Sequence, residues 1–376
     1  MADIIRCTRC ILPVSLPSVR LDDNGVCNHC TTYERRFIAA QTVSTDRISI
    51  FEELLNNAKK RHRTYDCLIP LSGGKDSTYS LYVCAKLYGM RCLAVTFDNG
   101  YLSEHALTNI NHAVNISGAD HIHYKVNRPT MLKLYKTFLE HCGSFCPACM
   151  RGIGSAIESA KKYDIPLIIS GTGARVAYLA MIPELYQGGD PRFFKNVLKG
   201  SELVTSVDQL SGSDSLYNFE KLMGIALRTL GLPIKTKHQQ IGIYDYFEPD
   251  LINVYEIIQK EMGWTKPDGN AEHMDCLVQS VANYIQTLKF PELTPKTIYN
   301  SGQVRFGRMS REAALEVEDD NLRNTDAPAM LDTFLREINM DKKVFYNSTN
   351  DWRKLDSYRN KKLDSIRRIY RKIARN

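Results

Sequence analysis

Between residues 65 and 80 the chain reads YDCLIPLSGGKDSTYS. The apolar run 67–71 has the length and composition of a buried strand. Ser72, Gly73, Gly74, Lys75, Asp76 and Ser77 follow, and 78–85 carries helical periodicity. A strand, a tight glycine turn and a helix N-terminus together make an anion site. Gly73 and Gly74 let the backbone approach a phosphate closely. Unpaired N–H groups and the positive end of the helix dipole face the ligand, and Ser72, Ser77 and Lys75 add donors. Asp76 would repel a phosphate unless a divalent cation came with it, so the reading includes a nucleotide and Mg²⁺. The Walker pattern, with four residues between its glycines and a Lys-Ser/Thr end, does not match.

Cysteines supply the remaining chemistry. Cys7-x-x-Cys10 and Cys27-x-x-Cys30 bracket the loop 11–26, the spacing of a structural four-cysteine zinc knuckle. Asp22, Asp23, Asn24 and Gly25 supply the turn before the second pair. Four thiolates around one Zn²⁺ can fold a segment too small for its own core; a rubredoxin-like iron is the alternative. The expected role is structural. Cys146-x-x-Cys149 precedes an amphipathic helix expected over 153–163, a position that lowers thiol pKa values and suits metal ligation or redox work. Two ordinary buried cysteines are the other reading. Downstream of them only Cys276 remains, in AEHMDC. It is either a partner for that pair or a lone buried thiol, with His273 or Asp275 as acid–base groups or ligands.

These residues need elements to position them. A second strand over 91–97 ends in Asp98-Asn99-Gly100, a turn at the carboxyl end where open α/β sheets bind ligands. A helix over 103–116, a third strand over 121–126 and a fourth over 166–170 follow, the last ending in GTGAR, 171–175. Alternating strands and helices predict an α/β fold with a doubly wound parallel sheet. Turns after the first, second and fourth strands would share one edge, where Arg175 either neutralises pyrophosphate or forms a surface salt bridge. Helices are expected over 32–63, 193–198 and 217–230, and from Tyr244 onward with Ile252, Tyr255, Ile257 and Ile258 apolar. Ser310 caps a further helix, and Arg305, Arg308 and Arg311 face a phosphate or solvent. The expected division is 1–48 (knuckle and linker), 49–185 (nucleotide domain), 186–300 (helical substrate-recognition region with Cys276) and 301–376 (C-terminal helices with a basic tail).

A chain of 376 residues with 43% hydrophobic content can bury a full core. No apolar run reaches the length of a membrane span, and Cys7 and Cys10 interrupt any cleavable signal. Eleven cysteines without such a signal indicate a reducing compartment, so a cytoplasmic location is expected. Much of the net charge of +7 lies in 353–375, which reads as a solvated helix or a nucleic-acid contact. A homodimer is expected.

SGGKDS resembles the PP-loop of the ATP pyrophosphatase (adenine nucleotide alpha-hydrolase) superfamily. The resemblance implies cleavage of ATP between its α and β phosphates to adenylate an oxygen, with Lys75 and Asp76 catalytic. It also implies that backbone at Phe97 and Asp98 holds adenine and that Gly171 and Arg175 lie near the phosphates. The Cys146–Cys149 pair is similar to that of tRNA two-thiocytidine and two-thiouridine synthetases. There such a pair and one downstream cysteine, here Cys276, hold a 4Fe-4S cluster that carries sulfur. The two N-terminal CxxC pairs, SGGKDS, FDNG and RFGRMSREAA together resemble N-acetyl sugar amidotransferases of surface-polysaccharide biosynthesis, which use ammonia from a glutaminase partner. The chain departs from that pattern at CPAC and at GTGAR. Because CPAC needs a chemical task, the favoured expectation is an ATP-dependent sulfurtransferase acting on a small molecule or nucleobase, with Cys146 and Cys149 catalytic through either the cluster or a cysteine persulfide, and a donor protein of the cysteine desulfurase type as one source of the sulfur. The amidotransferase and, more weakly, tRNA thiolation are alternatives. A nucleotide sensor without catalysis is disfavoured by Asp76.

Overall fold

The computed structural model describes residues 4–35, 47–61, 63–173, 191–206, 238–247, 251–266, 275–294, 296–322, 326–351 and 353–358. Five strands form one sheet: β1 (Cys67–Pro70), β2 (Cys92–Asp98), β3 (Asp120–Lys125), β4 (Leu167–Ser170) and β5 (Gln239–Gly242), in the order β3-β2-β1-β4-β5. Every pairing is parallel, with Cys67 opposite both Cys92 and Leu167, and Leu167 opposite Gln239. The strand order reverses between β1 and β4, which opens a crevice at their carboxyl ends.

Helix α1 (Asn28–Tyr33) belongs to the N-terminal cysteine segment, and α2 (Arg47–Lys59) precedes the sheet. Between strands come α3 (Lys75–Leu81), α4 (Glu104–Ser117), α5 (Arg128–Cys142) and α6 (Arg151–Lys162). Beyond β4 lie α7 (Pro191–Val197), α8 (Leu251–Met262), α9 (Gln279–Lys289) and α10 (Thr297–Arg305). The described chain ends with α11 (Arg311–Leu322), α12 (Met330–Glu337), α13 (Lys342–Thr349) and α14 (Arg353–Tyr358).

Side-chain alternation along the strands divides the core. Cys67, Ile69, Ala94, Leu167 and Ile169 point to one face, among apolar residues of α2, α3, α4 and α8. Leu68, Leu93, Val95 and Ile168 point to the other, under Ala156, Ile157 and Ala160 of α6. Burial on both faces is why these strands read as continuous apolar runs. A third core joins α5, α7, α9, α12 and α13 through Tyr135, Phe138, Phe193, Phe334 and Phe345, with Cys146, Cys149 and Cys276 packed against it. A fourth holds the N-terminal cysteines against Phe290 and Leu293, just after α9.

The four expected strands are present within a residue or so at each end, and Ser103 caps α4 by accepting from the Ala106 amide. Two expectations change. β5 was not anticipated, because Gln-Gln-Ile-Gly is short, half polar and lacks alternation. The helix expected from Tyr244 begins only at Leu251. Parallel pairing with β4 instead carries Tyr244 through a single 3-10 turn, 243–245, to the carboxyl edge. The expected helix 217–230 and most of the basic tail lie outside the described residues.

Candidate active site

The glycine loop between β1 and α3, the candidate phosphate loop, is built from backbone geometry that only glycine tolerates. Gly73 has φ +81°, and a Cβ there would sit 2.4 Å from the Ala106 carbonyl oxygen. That carbonyl belongs to α4, so α4 fixes the loop from one side. The Gly73 carbonyl is held by Trp264 Nε1 at 2.9 Å. Gly74 is the N-cap of α3 in extended conformation, and no side chain caps that terminus. Inside the loop, Ser77 Oγ donates to the Gly74 carbonyl at 3.0 Å and accepts from the Ser72 amide at 3.2 Å, while Ser72 Oγ accepts from the Gly74 amide at 3.3 Å. The loop is thus preformed around its own hydroxyls.

Asp76 is held from two sides. Lys75 Nζ lies 2.8 Å from its Oδ2, and the Tyr244 hydroxyl donates to its Oδ1 at 2.7 Å. Burial and the Asp76 carboxylate both push the Tyr244 phenol up, so it remains a donor. Gly171, just past β4, touches the same spot: a Cβ there would come within 2.6 Å of the Asp76 backbone. Glycine-only packing therefore joins the β1 and β4 turns at the crevice. Phe97 stacks on Tyr124 with centroids 6.2 Å apart. Asp98 accepts from the Gly100 amide at 2.8 Å and lies 3.2 Å from His123 Nε2. Arg175 lies outside the described residues. Two glycines, a helix terminus and one positioned carboxylate fit a nucleotide and its magnesium ion.

Cys146 and Cys149 lie in one 3-10 turn, 146–150, directly before α6. Cys276 reaches them from far along the chain. Residues 275–277 pair antiparallel with 101–103: the Ser103 amide donates to the Asp275 carbonyl at 3.0 Å, and the Leu277 amide to the Tyr101 carbonyl at 2.8 Å. Asn99 Nδ2 then donates to Cys149 Sγ at 3.5 Å and to Cys276 Sγ at 3.7 Å, and the Tyr135 hydroxyl is 3.3 Å from Cys149 Sγ. The adjacent Asp275 faces the other way. Its Oδ2 would lie 3.7 Å from a Cβ on Gly74. One dipeptide therefore spans from the phosphate loop to the thiols.

The expectation of lowered thiol pKa values at this pair is corrected. Burial pushes Cys146 and Cys149 up, and Cys276 up to about 12, with Asn99 and Tyr135 only partly opposing this. The helix terminus cannot offset removal of three neighbouring thiols from water. Such thiols ionise when a metal takes the charge. Among the described residues, the three do not pack with all donor atoms within 4.8 Å, the spacing met by the N-terminal four. A cluster binds each thiolate to a different iron, so a looser trio, two of whose thiols share the Asn99 donor, would fit it better than a single ion.

Cys7, Cys10, Cys27 and Cys30 are fully buried, and their sulfurs all lie within 4.8 Å of one another. Cys7 Sγ accepts from the amides of Arg9, Cys10 and Cys27 at 3.2–3.4 Å. Hydrogen bonds from Cys10 and its neighbours hold Cys7 low, while Cys27 and Cys30 are pushed up by the same crowding. Four charges cannot share this space without a cation, which fits Zn²⁺. Arg305 Nη1 donates to Cys10 Sγ at 3.3 Å, and Arg311 Nε to the Cys7 and Cys10 carbonyls at 3.2 Å. Two of the three arginines of RFGRMSREAA thus face the knuckle, neither phosphate nor solvent.

The sequence points to neither Asn99 nor Tyr135 as a thiol partner, and it predicts that Tyr244 begins a helix. Asn99 carried a usable signal, its place in a turn at the carboxyl end of a strand. No local pattern marked the other two.

Residues 254–373 match the family model for the C-terminal domain of WbpG-like lipopolysaccharide biosynthesis proteins. An uncharacterized protein of Methanocaldococcus jannaschii is 29% identical over 121 residues, 32% of this chain and 43% of that protein, so the match spans less than half of the relative's length. Among solved structures, the U34-tRNA thiolase NcsA of Methanococcus maripaludis with its 4Fe-4S cluster is similar at TM-score 0.34 and 12% identity, covering 84% of this chain and 89% of that one. At that score no residue role passes from one to the other. Among the described residues, no helix is long and apolar enough to cross a membrane.

Proposed function

We propose that the chain is an ATP-dependent sulfurtransferase that adenylates a carbonyl or amide oxygen of a small molecule and replaces that oxygen with sulfur, releasing AMP and pyrophosphate. One observation carries this reading. The Asp275–Cys276 dipeptide puts a carboxylate against the phosphate loop and a thiol beside Cys149, so the activation and sulfur-delivery groups share one crevice. The match of 254–373 to a lipopolysaccharide biosynthesis domain suggests an amide-bearing sugar precursor as the small molecule.

In this reading the ATP phosphates lie on the backbone amides at the N-terminus of α3. The substrate oxygen attacks the α phosphorus, the α–β bond breaks, and Lys75 with the loop amides stabilises the charge on departing pyrophosphate. Magnesium, when bound, would be held by Asp76 and would screen the phosphate oxygens. Tyr244 and Lys75 fix the orientation of that carboxylate beforehand. Sulfur at the sulfide level then attacks the activated carbon, the C–O bond breaks, and AMP leaves with the oxygen, so no electrons are gained or lost. A 4Fe-4S cluster held by Cys146, Cys149 and Cys276 would supply a place to hold that sulfur. Asn99 and Tyr135 orient two of the three thiols.

The second reading, ammonia in place of sulfur, draws on the same family match and gives CPAC no task. An absorption spectrum and metal analysis on anaerobically purified protein separate the two. Sulfur transfer predicts a brown protein with about four irons and one zinc per chain. A colourless protein with zinc alone removes the cluster, and absence of pyrophosphate release with amide-bearing sugar nucleotides removes the adenylation step.

A further inference from the structure

α9 ends at Lys289, which is only 8% exposed. It lines a cavity of about 550 Å³ in which no residue of the sheet edge or phosphate loop takes part. Phe290 and Pro291 give the cavity an apolar wall, and Ser15 and Asn350 give it neutral polar groups. Gly143 brings the thiol segment close behind: a Cβ there would lie 2.4 Å from the Ser348 carbonyl, two residues before Asn350.

Among the described residues, no hydrogen bond or ion pair holds the Lys289 ammonium. Arg353 Nε is matched by Asp351 Oδ1 at 3.2 Å, so its charge is already answered. Burial pushes Lys289 down to about 8, with Asp351 among the groups opposing this. A buried ammonium that has Asp351 nearby but no hydrogen-bonded partner is costly, and an anion would supply one. We propose that Lys289 and this cavity form a second ligand site, beside the thiols and apart from the nucleotide edge, that takes a small monoanion. A dianion is disfavoured, because Lys289 shares the lining with the carboxylates Asp351 and Glu292. The volume lies in the range of small-molecule sites.

Two sources share this chemistry: hydrosulfide, and the carboxylate of an organic ligand. Assigning hydrosulfide rests on the sulfur-transfer reading, whereas the monoanion site does not. The test is the ³⁵Cl NMR linewidth of the full chain, with chloride as the monoanion probe. Wild type should broaden the line, and added acetate or hydrosulfide should narrow it again. Displacement by hydrosulfide at the lower concentration marks a sulfur inlet, and displacement by acetate first marks an organic carboxylate. Lys289→Met should lose most of the broadening, while Lys289→Arg retains it and guards against misfolding of the methionine variant. Equal broadening by wild type and a folded Lys289→Met overturns the site. Sulfate displacing chloride better than either monoanion overturns the charge assignment. Pyrophosphate release is measured separately, so loss of the transferase reading and loss of this site are distinguishable.

Discussion

Both carboxylate oxygens of Asp76 are engaged, one by Lys75 and one by Tyr244. Asp76→Asn keeps the size and the Tyr244 contact but removes the charge that would hold magnesium. Pyrophosphate release should fall by about a hundredfold or more, the usual cost of removing one preorganised electrostatic group. The thermal midpoint should change little, and a large drop in it would mean that Asp76 is structural. Asn99 acts one step further from the chemistry. Asn99→Ala removes the N–H donor shared by Cys149 and Cys276, and a partner of this kind is worth about tenfold to a hundredfold in metal affinity. Iron retained after gel filtration against a chelator should fall, while zinc stays. Unchanged iron would take Asn99 out of the cluster's support. The loop residues and the cysteines were legible in the sequence because such residue types rarely stand at those spacings without a function. The contacts of Asn99 and Tyr244 were not, because their partners, Cys149 and Cys276 for the one and Asp76 for the other, lie far away in the chain, although the turn that holds Asn99 was itself legible.

The phosphate loop depends on elements that hold it from outside. Gly73→Ala adds a methyl group at φ +81°, 2.4 Å from the Ala106 carbonyl. Either the loop or α4 must shift. A loss of about 1–3 kcal/mol is expected from strain and overpacking, read as a lower denaturant midpoint together with weaker nucleotide binding. Unaltered binding would show that the loop tolerates other conformations. At this scale the sequence did well where one element buries both faces or carries its own cap, as β1, β2 and α4 do. It did poorly at β5, which exists because β4 offers an unpaired edge to Gln239–Gly242.

For the whole molecule, the N-terminal knuckle is a wedge packed on the segments after α9. Its cysteines share a core with Phe290 and Leu293, and Arg305 and Arg311 tie α10 and α11 to it. If the four cysteines hold zinc, removing it should therefore do more than unfold the first thirty or so residues. Cys7→Ser, or strong chelation, should lower the thermal midpoint and the soluble yield and expose the neighbourhood of α10 to proteolysis. A stable but inactive Cys7→Ser protein would instead give the knuckle a direct role in the reaction. By itself the sequence determined the parallel α/β class, the glycine turn between β1 and α3 and the N-terminal cysteine group, because apolar runs, glycine turns and CxxC spacing are local codes. Only the tertiary structure decided that Cys276 meets Cys149 at Asn99, that Tyr244 grips Asp76 and that two arginines serve the knuckle. Those contacts join residues 50 to 304 positions apart, and no short-range pattern specifies which surfaces a long chain will bring together when it buries its core.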